Sequence, residues 1–156
     1  KKKNNLGTEI KNSRRTHELL DGYFENFSIE DLNKIPDGFR NNLIWNIGHI
    51  IVSQQSLIYK GSGLPMLVSD ELVSLYARGT APHRDISPSE AVELRNLLDS
   101  LVRKTEDDYN DGVFTEYHSR KSEMGYDLST VEDAIAFNNH HESLHLGIMM
   151  QLKKFI

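Results

Sequence analysis

Apolar residues recur at intervals of three and four along most of the chain, which is the spacing of one face of an α-helix. The first such stretch covers about residues 5–27, and the polar segment 28–34 with the turn at 36–38 ends it. The second covers about residues 42–59, and either Asn41 or Asn42 can cap its start. These two stretches predict two long helices in the first part of the chain.

Helix-start signals mark the rest of the chain. Ser87, Pro88 and Glu90 combine an N-cap, a first-turn proline and a capping-box carboxylate, so they predict a third long helix to about residue 109. A second capping box at residues 129–132 predicts a fourth long helix to about residue 155. Ser69 can cap a short helix to about residue 77 inside the connection 61–88. Residues 113–126 are irregular and predict a short extended pair.

Four long helices with long connections after the second and the third predict an all-α four-helix bundle, formed by one domain of residues 1–156. The short link between the first two helices predicts that they are antiparallel neighbours. The second helix is apolar on two faces, so we expect one face inside the bundle and the other against the partner subunit of a homodimer. Gly48 in this helix predicts a close approach beside His49.

His141 and His145 lie four residues apart in the fourth predicted helix, so both imidazoles project from one face, one turn apart. Apolar residues share that face and indicate that it meets a core: Val131, Ala134, Phe137, Ile148, Met149, Leu152 and Phe155. Two imidazoles buried side by side need a common partner, and a divalent metal ion supplies one. His49, on an inward face of the second helix, is the best candidate for a third ligand.

The other candidate residues have less defined roles. His17 falls on the core side of the first helix, where it is either a packed core residue or one that supports the metal ligands or joins them. His140 points away from the ligand pair, and His83 and His118 lie in connections, so we expect all three in solvent. Glu142, the candidate catalytic residue, lies about 100° around the helix from the pair. It either orients a histidine or shuttles a proton, or it is a solvated or supporting carboxylate.

Two better-known metal signatures overlap the same residues. His141, Glu142 and His145 spell the His-Glu-x-x-His of zinc proteases, but none of the eleven residues that follow is His, Asp or Glu. The edge strand of those folds is not evident either. Glu142 and His145 also match half of a ferritin-like di-iron pattern, which needs a second Glu-x-x-His. The sequence therefore disfavours both a metalloprotease and a di-iron protein.

Charge and composition exclude further classes. The formal net charge is −5, and no basic stripe stands out beyond residues 1–3, which argues against nucleic acid as a partner. The chain has no cysteine, so it forms no disulfide, zinc–thiolate site or cysteine nucleophile. No apolar run approaches the length of about 18 residues that a membrane helix needs, and no signal-peptide pattern stands out. We therefore expect a soluble, cytoplasmic protein without a membrane partner.

Two segments resemble the hallmarks of a known family. The second helix carries Trp-x-x-Gly-His at residues 45–49, and the fourth carries His-x-x-x-His-x-Gly at residues 141–147. Together they resemble the DinB/YfiT-like superfamily, and the connection 63–82 and the stretch 134–139 are similar to one of its branches. Ile148 stands where the family often has Gln after the late Gly. The resemblance covers nearly the whole chain.

The resemblance implies a four-helix bundle, often dimeric, with a divalent metal on three histidines, which here are His49, His141 and His145. Characterised relatives include metal-dependent thiol transferases and a mycothiol-dependent isomerase, and nothing implies DNA binding. The leading hypothesis is therefore an enzyme in which Zn²⁺, Ni²⁺ or Fe²⁺ activates a low-molecular-weight thiol against an electrophilic small molecule. A hydrolase that uses metal-bound water and a non-enzymatic dimeric metal-binding module are the alternatives.

Overall fold

The structure, a computed structural model, describes residues 6–156 and is mostly helical. Four of its helices are long, and two short strands form an antiparallel hairpin before the last helix. The elements are α1 (Leu6–Asn26), α2 (Ile29–Asn33), α3 (Leu43–Ile58), α4 (Asp70–Tyr76), α5 (Pro88–Asn110), β1 (Arg120–Lys121), β2 (Asp127–Leu128) and α6 (Val131–Leu152), with 3-10 turns at Lys60–Ser62 and Lys153–Phe155. The all-α prediction is confirmed.

Polar side chains begin three of these helices as the sequence predicts. Asn42, Ser69 and Ser87 each accept a hydrogen bond from the backbone N–H three residues later, at 2.8, 3.2 and 3.2 Å. Glu90 completes the capping box by accepting from the backbone N–H of Ser87 at 2.7 Å. These caps satisfy backbone donors that have no partner within the helix, which is why α3, α4 and α5 begin there. The predicted start of the first helix at Asn5 lies outside the described residues.

Two predicted boundaries differ from the structure. The polar segment that was expected only to end the first helix forms α2, because Ser28 caps it through a backbone N–H at 3.1 Å. The last capping box begins one residue later than predicted: Thr130 and Asp133 exchange side-chain-to-backbone hydrogen bonds of 3.1 Å. The fourth long helix also ends earlier, at Leu152, where a 3-10 turn begins.

The four long helices pack as a ring. α1 packs against α5 and α6, and α3 packs against the same two helices. α1 and α3 therefore lie across the ring from each other, so the predicted adjacency of the first two long helices is wrong. The connection between them contains α2 and is long enough to cross the end of the ring. Because α3 and α6 are neighbours, His49 faces the histidines of α6.

α3 is the most deeply buried of the four long helices. Fourteen of its sixteen residues are buried, and α2, α4 and the 3-10 turn Lys60–Ser62 cover the sides that α5 and α6 leave free. The second apolar face of this helix, from which we expected a dimer, is thus covered by the chain itself. The second apolar face of α3 therefore no longer supports a homodimer, which stays a prediction. Across residues 6–156, no helix is both long enough and apolar enough to cross a bilayer.

Candidate metal centre

The structure brings the three predicted ligands together. His49 on α3 and His141 and His145 on α6 each offer a ligand atom, and these atoms all lie within 4.8 Å of one another. The ring centroids are 4.6 Å apart for the two histidines of α6, and 5.2 and 4.7 Å from His49 to His141 and His145. We call these three residues the histidine cluster. One ligand from early in the chain and two from its last helix therefore meet at one point.

His49 is held on three sides. Its Nδ1 donates a hydrogen bond to the backbone carbonyl of Tyr76 at 2.8 Å, which leaves Nε2 as the atom with a lone pair. The indole of Trp45, one turn earlier, stacks on the imidazole at 4.8 Å with 8° between the planes. Gly48 lets α4 approach, because a Cβ there would lie 2.7 Å from Tyr76 Cε1 and closer still to two other ring atoms. The predicted close approach at Gly48 is confirmed.

Asn46 fixes His145. The amide nitrogen of Asn46 donates to Asn41 Oδ1 at 3.0 Å and to the backbone carbonyl of Asn42 at 2.8 Å, so its oxygen must point the other way. That oxygen accepts a hydrogen bond from His145 Nδ1 at 2.8 Å. Nε2 of His145 therefore keeps its lone pair. Metal-binding histidines commonly donate their second N–H to an oxygen in this manner, which fixes the ring and its tautomer.

His141 is the third residue of the histidine cluster, and one of its ring nitrogens has no hydrogen bond among the described residues. Its Nδ1 is buried and has no hydrogen-bond partner in the part of the chain that the structure describes. Buried polar atoms are nearly always partnered in proteins, so this nitrogen requires an explanation. Both α6 histidines are half-buried, whereas His49 is 6% exposed. The cluster therefore lies at the edge of the protein, with its α6 side reachable from solvent.

The electrostatics of the cluster keep all three rings neutral. Burial lowers the pKa of His49 below its ordinary value. Burial, together with the neighbouring imidazole of His49, lowers the pKa of His141 to about 4. Burial and the two other rings lower the pKa of His145 to about 3. A neutral imidazole is the form that binds a cation, so at neutral pH each ring has a lone pair available.

Glu142 lies in the interior of the protein, away from solvent. Its side chain is fully buried, and Oε1 accepts hydrogen bonds from His17 Nε2 at 3.0 Å and Asn138 Nδ2 at 2.9 Å. Its Oε2 is buried and, within residues 6–156, has no hydrogen-bond partner. The interpretation of Glu142 as a solvated carboxylate is therefore wrong. Its catalytic role stays a prediction.

His17 is a packed core residue, one of the two alternatives that the sequence left open. Its Nδ1 donates to the Leu98 carbonyl at 2.6 Å while Nε2 donates to Glu142, so both nitrogens carry a proton and the ring is an imidazolium. Burial lowers the pKa of His17, but the Glu142 carboxylate, the Leu98 carbonyl and Asp99 together raise it, and the net shift is upward. We call His17 and Glu142 the inner pair. The remaining histidines, His83, His118 and His140, are exposed as predicted.

The core-facing stripe of α6 differs from the predicted one. Ile148 and Phe155, which were assigned to it, are 41% and 57% exposed. Apart from Ala134, which is buried as predicted, the buried residues lie three, four or seven positions apart: Val131, Ile135, Asn138, Glu142, Met149 and Leu152. Two of these are polar, and a search for apolar residues passes over them. The four–three spacing itself is the signal that identifies them.

Two supporting groups were not found from the sequence. Asn46 is fully buried in a helix that is otherwise apolar on most sides, and this isolation was its only sequence signal. Tyr76 contributes a backbone carbonyl to His49, and a carbonyl leaves no mark in a sequence. Together they orient two of the three rings. The donor set, three neutral imidazoles of which two have oriented N–H groups, fits a divalent cation such as Zn²⁺, Ni²⁺ or Fe²⁺.

Comparison with known protein families places the chain in one of them. The chain matches the DinB superfamily over residues 13–149. That range contains α3 complete and all three residues of the histidine cluster. No curated protein matches the chain significantly. The resemblance first seen in the two histidine segments thus extends over most of the sequence, and the chain belongs to the DinB superfamily.

Proposed function

We propose that His49, His141 and His145 bind one divalent metal ion at the edge of a DinB-type four-helix bundle. The observation that carries the proposal is the cluster itself, three neutral imidazoles whose ligand atoms lie within 4.8 Å of one another. Two of the rings already donate Nδ1–H to fixed oxygens, and the third has a buried nitrogen without a partner among the described residues. A cation bound through this nitrogen of His141 would meet that need.

Three protein ligands leave a coordination position for a small molecule. When bound, the ion lowers the pKa of a thiol beside it and so supplies a nucleophile at neutral pH. The half-buried edge formed by His141 and His145 gives such a molecule access. The hydroxyl of Ser53 donates a hydrogen bond of 3.3 Å to His49 Nε2, and it would turn to a bound molecule when the ion takes that lone pair.

We infer that the molecule activated is a low-molecular-weight thiol and that the reaction transfers it to an electrophilic small molecule. The chain has no cysteine, so a sulfur nucleophile must enter as a co-substrate. In the reaction the thiol releases its proton to solvent, and its sulfur forms a bond to an electrophilic carbon. The bond from that carbon to the leaving group breaks, and the leaving group departs with the electron pair.

Glu142 acts in this proposal as a positioning residue. It is adjacent to His141 in sequence, but its carboxylate bonds His17 and Asn138 in the interior. It therefore sets the rotation of α6, and with it the direction of both α6 imidazoles. Proton transfer with the reacting molecules is left to solvent at the exposed edge of the cluster.

The test is a turnover assay on the purified protein after loading with Zn²⁺, Ni²⁺ or Fe²⁺. A panel of small thiols is combined with a chromogenic aryl chloride, and release of chloride is followed together with formation of the thioether. We expect turnover that needs both the metal and a thiol and that is lost in His49→Ala. His118→Ala, which removes an exposed histidine outside the cluster, is the matched control and should keep full activity.

The outcomes separate the parts of the proposal. A protein that binds the metal but turns over no thiol in the panel contradicts the transferase and leaves the metal site intact. Ester hydrolysis without a thiol, lost in His145→Ala, would favour the hydrolase instead. Equal turnover in wild type and His49→Ala would show that the cluster is not the catalytic centre.

A further inference from the structure

A group of aromatic rings adjoins the histidine cluster on its α6 side. Phe137 lies one turn before His141, with ring centroids 6.5 Å apart and 28° between the planes. Tyr126, from the turn between β1 and β2, packs on Phe137 at 5.5 Å and on His140 at 5.5 Å. Phe137 and His140 are 6.2 Å apart. We call Tyr126, Phe137 and His140 the aromatic wall, and it continues directly into a proposed metal ligand.

The wall is accessible and its hairpin is held in place. Tyr126 is 48% exposed, Phe137 is half-buried and His140 is exposed. The backbone of Tyr126 is fixed on both sides, since Ser122 N donates to its carbonyl at 2.8 Å and its own N–H donates to Ser122 Oγ at 3.1 Å. The ring therefore stays in solvent on a constrained turn.

A second contact places this hairpin at the rim of the cluster. Glu123, in the turn of the hairpin, forms an ion pair with Arg78. Arg78 follows the end of α4 by two residues, and the last residue of α4, Tyr76, holds His49 through its carbonyl. The hairpin thus joins the element that supports one ligand to the aromatic rings beside another. The wall belongs to the edge of the cluster rather than to a separate surface.

We propose that the aromatic wall is a subsite for a flat aromatic or conjugated group, carried by the molecule whose reactive end binds at the histidine cluster. This proposal rests on the proposed metal centre. Exposed ring faces favour a planar, apolar group, which stacks on them in an offset or edge-to-face manner. In the hairpin, Lys121 pairs with Asp127 and Glu123 pairs with Arg78, so a charged group gains less from these side chains.

The experiment uses two probes with the same metal-binding end, acetohydroxamate and benzohydroxamate, which differ by a methyl or a phenyl group. Uptake of Co²⁺ is first measured, and each probe is then titrated into the Co²⁺-loaded chain and followed by its visible spectrum. The readout is the ratio of the two Kd values, which cancels any change in the metal itself. We expect wild type to prefer the phenyl probe by about tenfold.

Variants locate the preference. Tyr126→Ala should remove most of the preference and Tyr126→Phe should keep it, because only the ring is needed. Met124→Ala is the matched control, since Met124 is a large exposed side chain (55%) on the same turn but outside the wall. Equal Kd values in wild type, or a preference that survives Tyr126→Ala, would overturn the subsite. An equal loss in Met124→Ala would overturn the assignment to the wall.

The two proposals fail in different ways. A chain that takes up no Co²⁺ overturns the metal centre and the subsite together. A chain that takes up Co²⁺ but binds neither probe, or both alike, overturns the subsite alone. Melting temperatures of the three variants close to wild type ensure that a lost preference reflects the missing ring and not a misfolded hairpin.

Discussion

α6 carries two histidine sites of opposite character on adjoining faces. Towards the interior, His17 meets the carboxylate of Glu142 and is an imidazolium, with both nitrogens donating hydrogen bonds. Towards α3, His141 and His145 meet His49, and all three rings are neutral with depressed pKa values. The inner pair is thus a charge already neutralised. The histidine cluster carries no charge, and the nitrogen lone pairs of its three rings can bind a cation.

The neighbours of each ring cause this difference. Burial lowers the pKa of every one of these histidines, but at His17 the hydrogen-bonded Glu142 carboxylate, helped by the Leu98 carbonyl and Asp99, turns the net shift upward. In the cluster, neighbouring imidazoles disfavour a proton on His141 and on His145, and the effect of Glu142 on His141 is too small to reverse the shift. The same residue type is therefore an internal cation in one site and a receptor for a cation in the other.

The largest effect is expected from breaking the inner pair. Glu142→Leu leaves the buried His17 without its carboxylate, and removing one partner of a buried pair typically costs about 3–5 kcal/mol. Denaturation of the metal-free protein by urea measures the loss. His17→Leu combined with Glu142→Leu should recover much of it, because the double variant buries no unpaired charge. A loss below about 1 kcal/mol in the single variant would show that the buried pair contributes no more than an exposed salt bridge.

Gly48→Ala tests how closely the cluster depends on α4. The added methyl group overlaps the Tyr76 ring, and overpacking of this kind costs about 1–3 kcal/mol. The shift of Tyr76 should also weaken metal binding, since its carbonyl holds His49. Gly147→Ala is the matched control on α6, because a Cβ there meets nothing within 4 Å. Equal stability of the two variants would contradict the packing account of Gly48.

Asn46→Ala sharpens the comparison on the cluster side. Loss of the oxygen that orients His145 should weaken metal affinity about 10–100-fold, as is usual for groups that hold a ligand in place. Competition with a metal-binding dye measures this affinity. Asn41→Ala removes only one of the two acceptors of the Asn46 amide and should change it little. An unchanged affinity in Asn46→Ala would show that His145 needs no such support.

The smallest effect is the pH dependence of the stability of the metal-free protein. The inner pair and the histidine cluster contribute to it with opposite signs. The pKa values of His141 and His145, about 4 and about 3, lie below the ordinary 6.5, so their contribution to stability is complete above pH 6.5 and falls on acidification. The pKa of His17 is raised, so its contribution is complete below pH 6.5 and falls as the pH rises.

Comparison of wild type with His145→Ala isolates the acid side of this dependence. Between about pH 6.5 and about pH 5.5, wild type should lose up to about 1 kcal/mol of unfolding free energy more than the variant. Chemical denaturation at a series of pH values measures the difference. Parallel stability curves for the two proteins would contradict the depressed pKa of His145.

Local signals in the sequence were sufficient to predict where most of the helices lie. Asn42, Ser69 and Ser87 were recognisable as caps because capping depends on a few neighbouring residues. The ring order was not recognisable in this way, since helical spacing shows which face is apolar but not which helix covers it. The diagonal placement of α1 and α3 and the cover of α3 by α2 and α4 therefore appeared only in the structure.

For the candidate site, too, the features that depend on neighbouring residues could be predicted and those that depend on distant contacts could not. His141 and His145 could be paired from their spacing, and His49 from its inward face on an apolar helix. The sequence left open whether Glu142 is solvated, because its burial depends on a partner 125 residues away in sequence. The carbonyl of Tyr76 was beyond prediction, because any residue at that position supplies the same oxygen.

The most direct test is metal content after dialysis of the purified chain against Zn²⁺, measured by elemental analysis beside His49→Ala and the control His118→Ala. If the three imidazoles share a cation, wild type and His118→Ala retain one ion per chain, and His49→Ala retains none. Wild type without bound metal, or the same metal content in His49→Ala, would contradict the account.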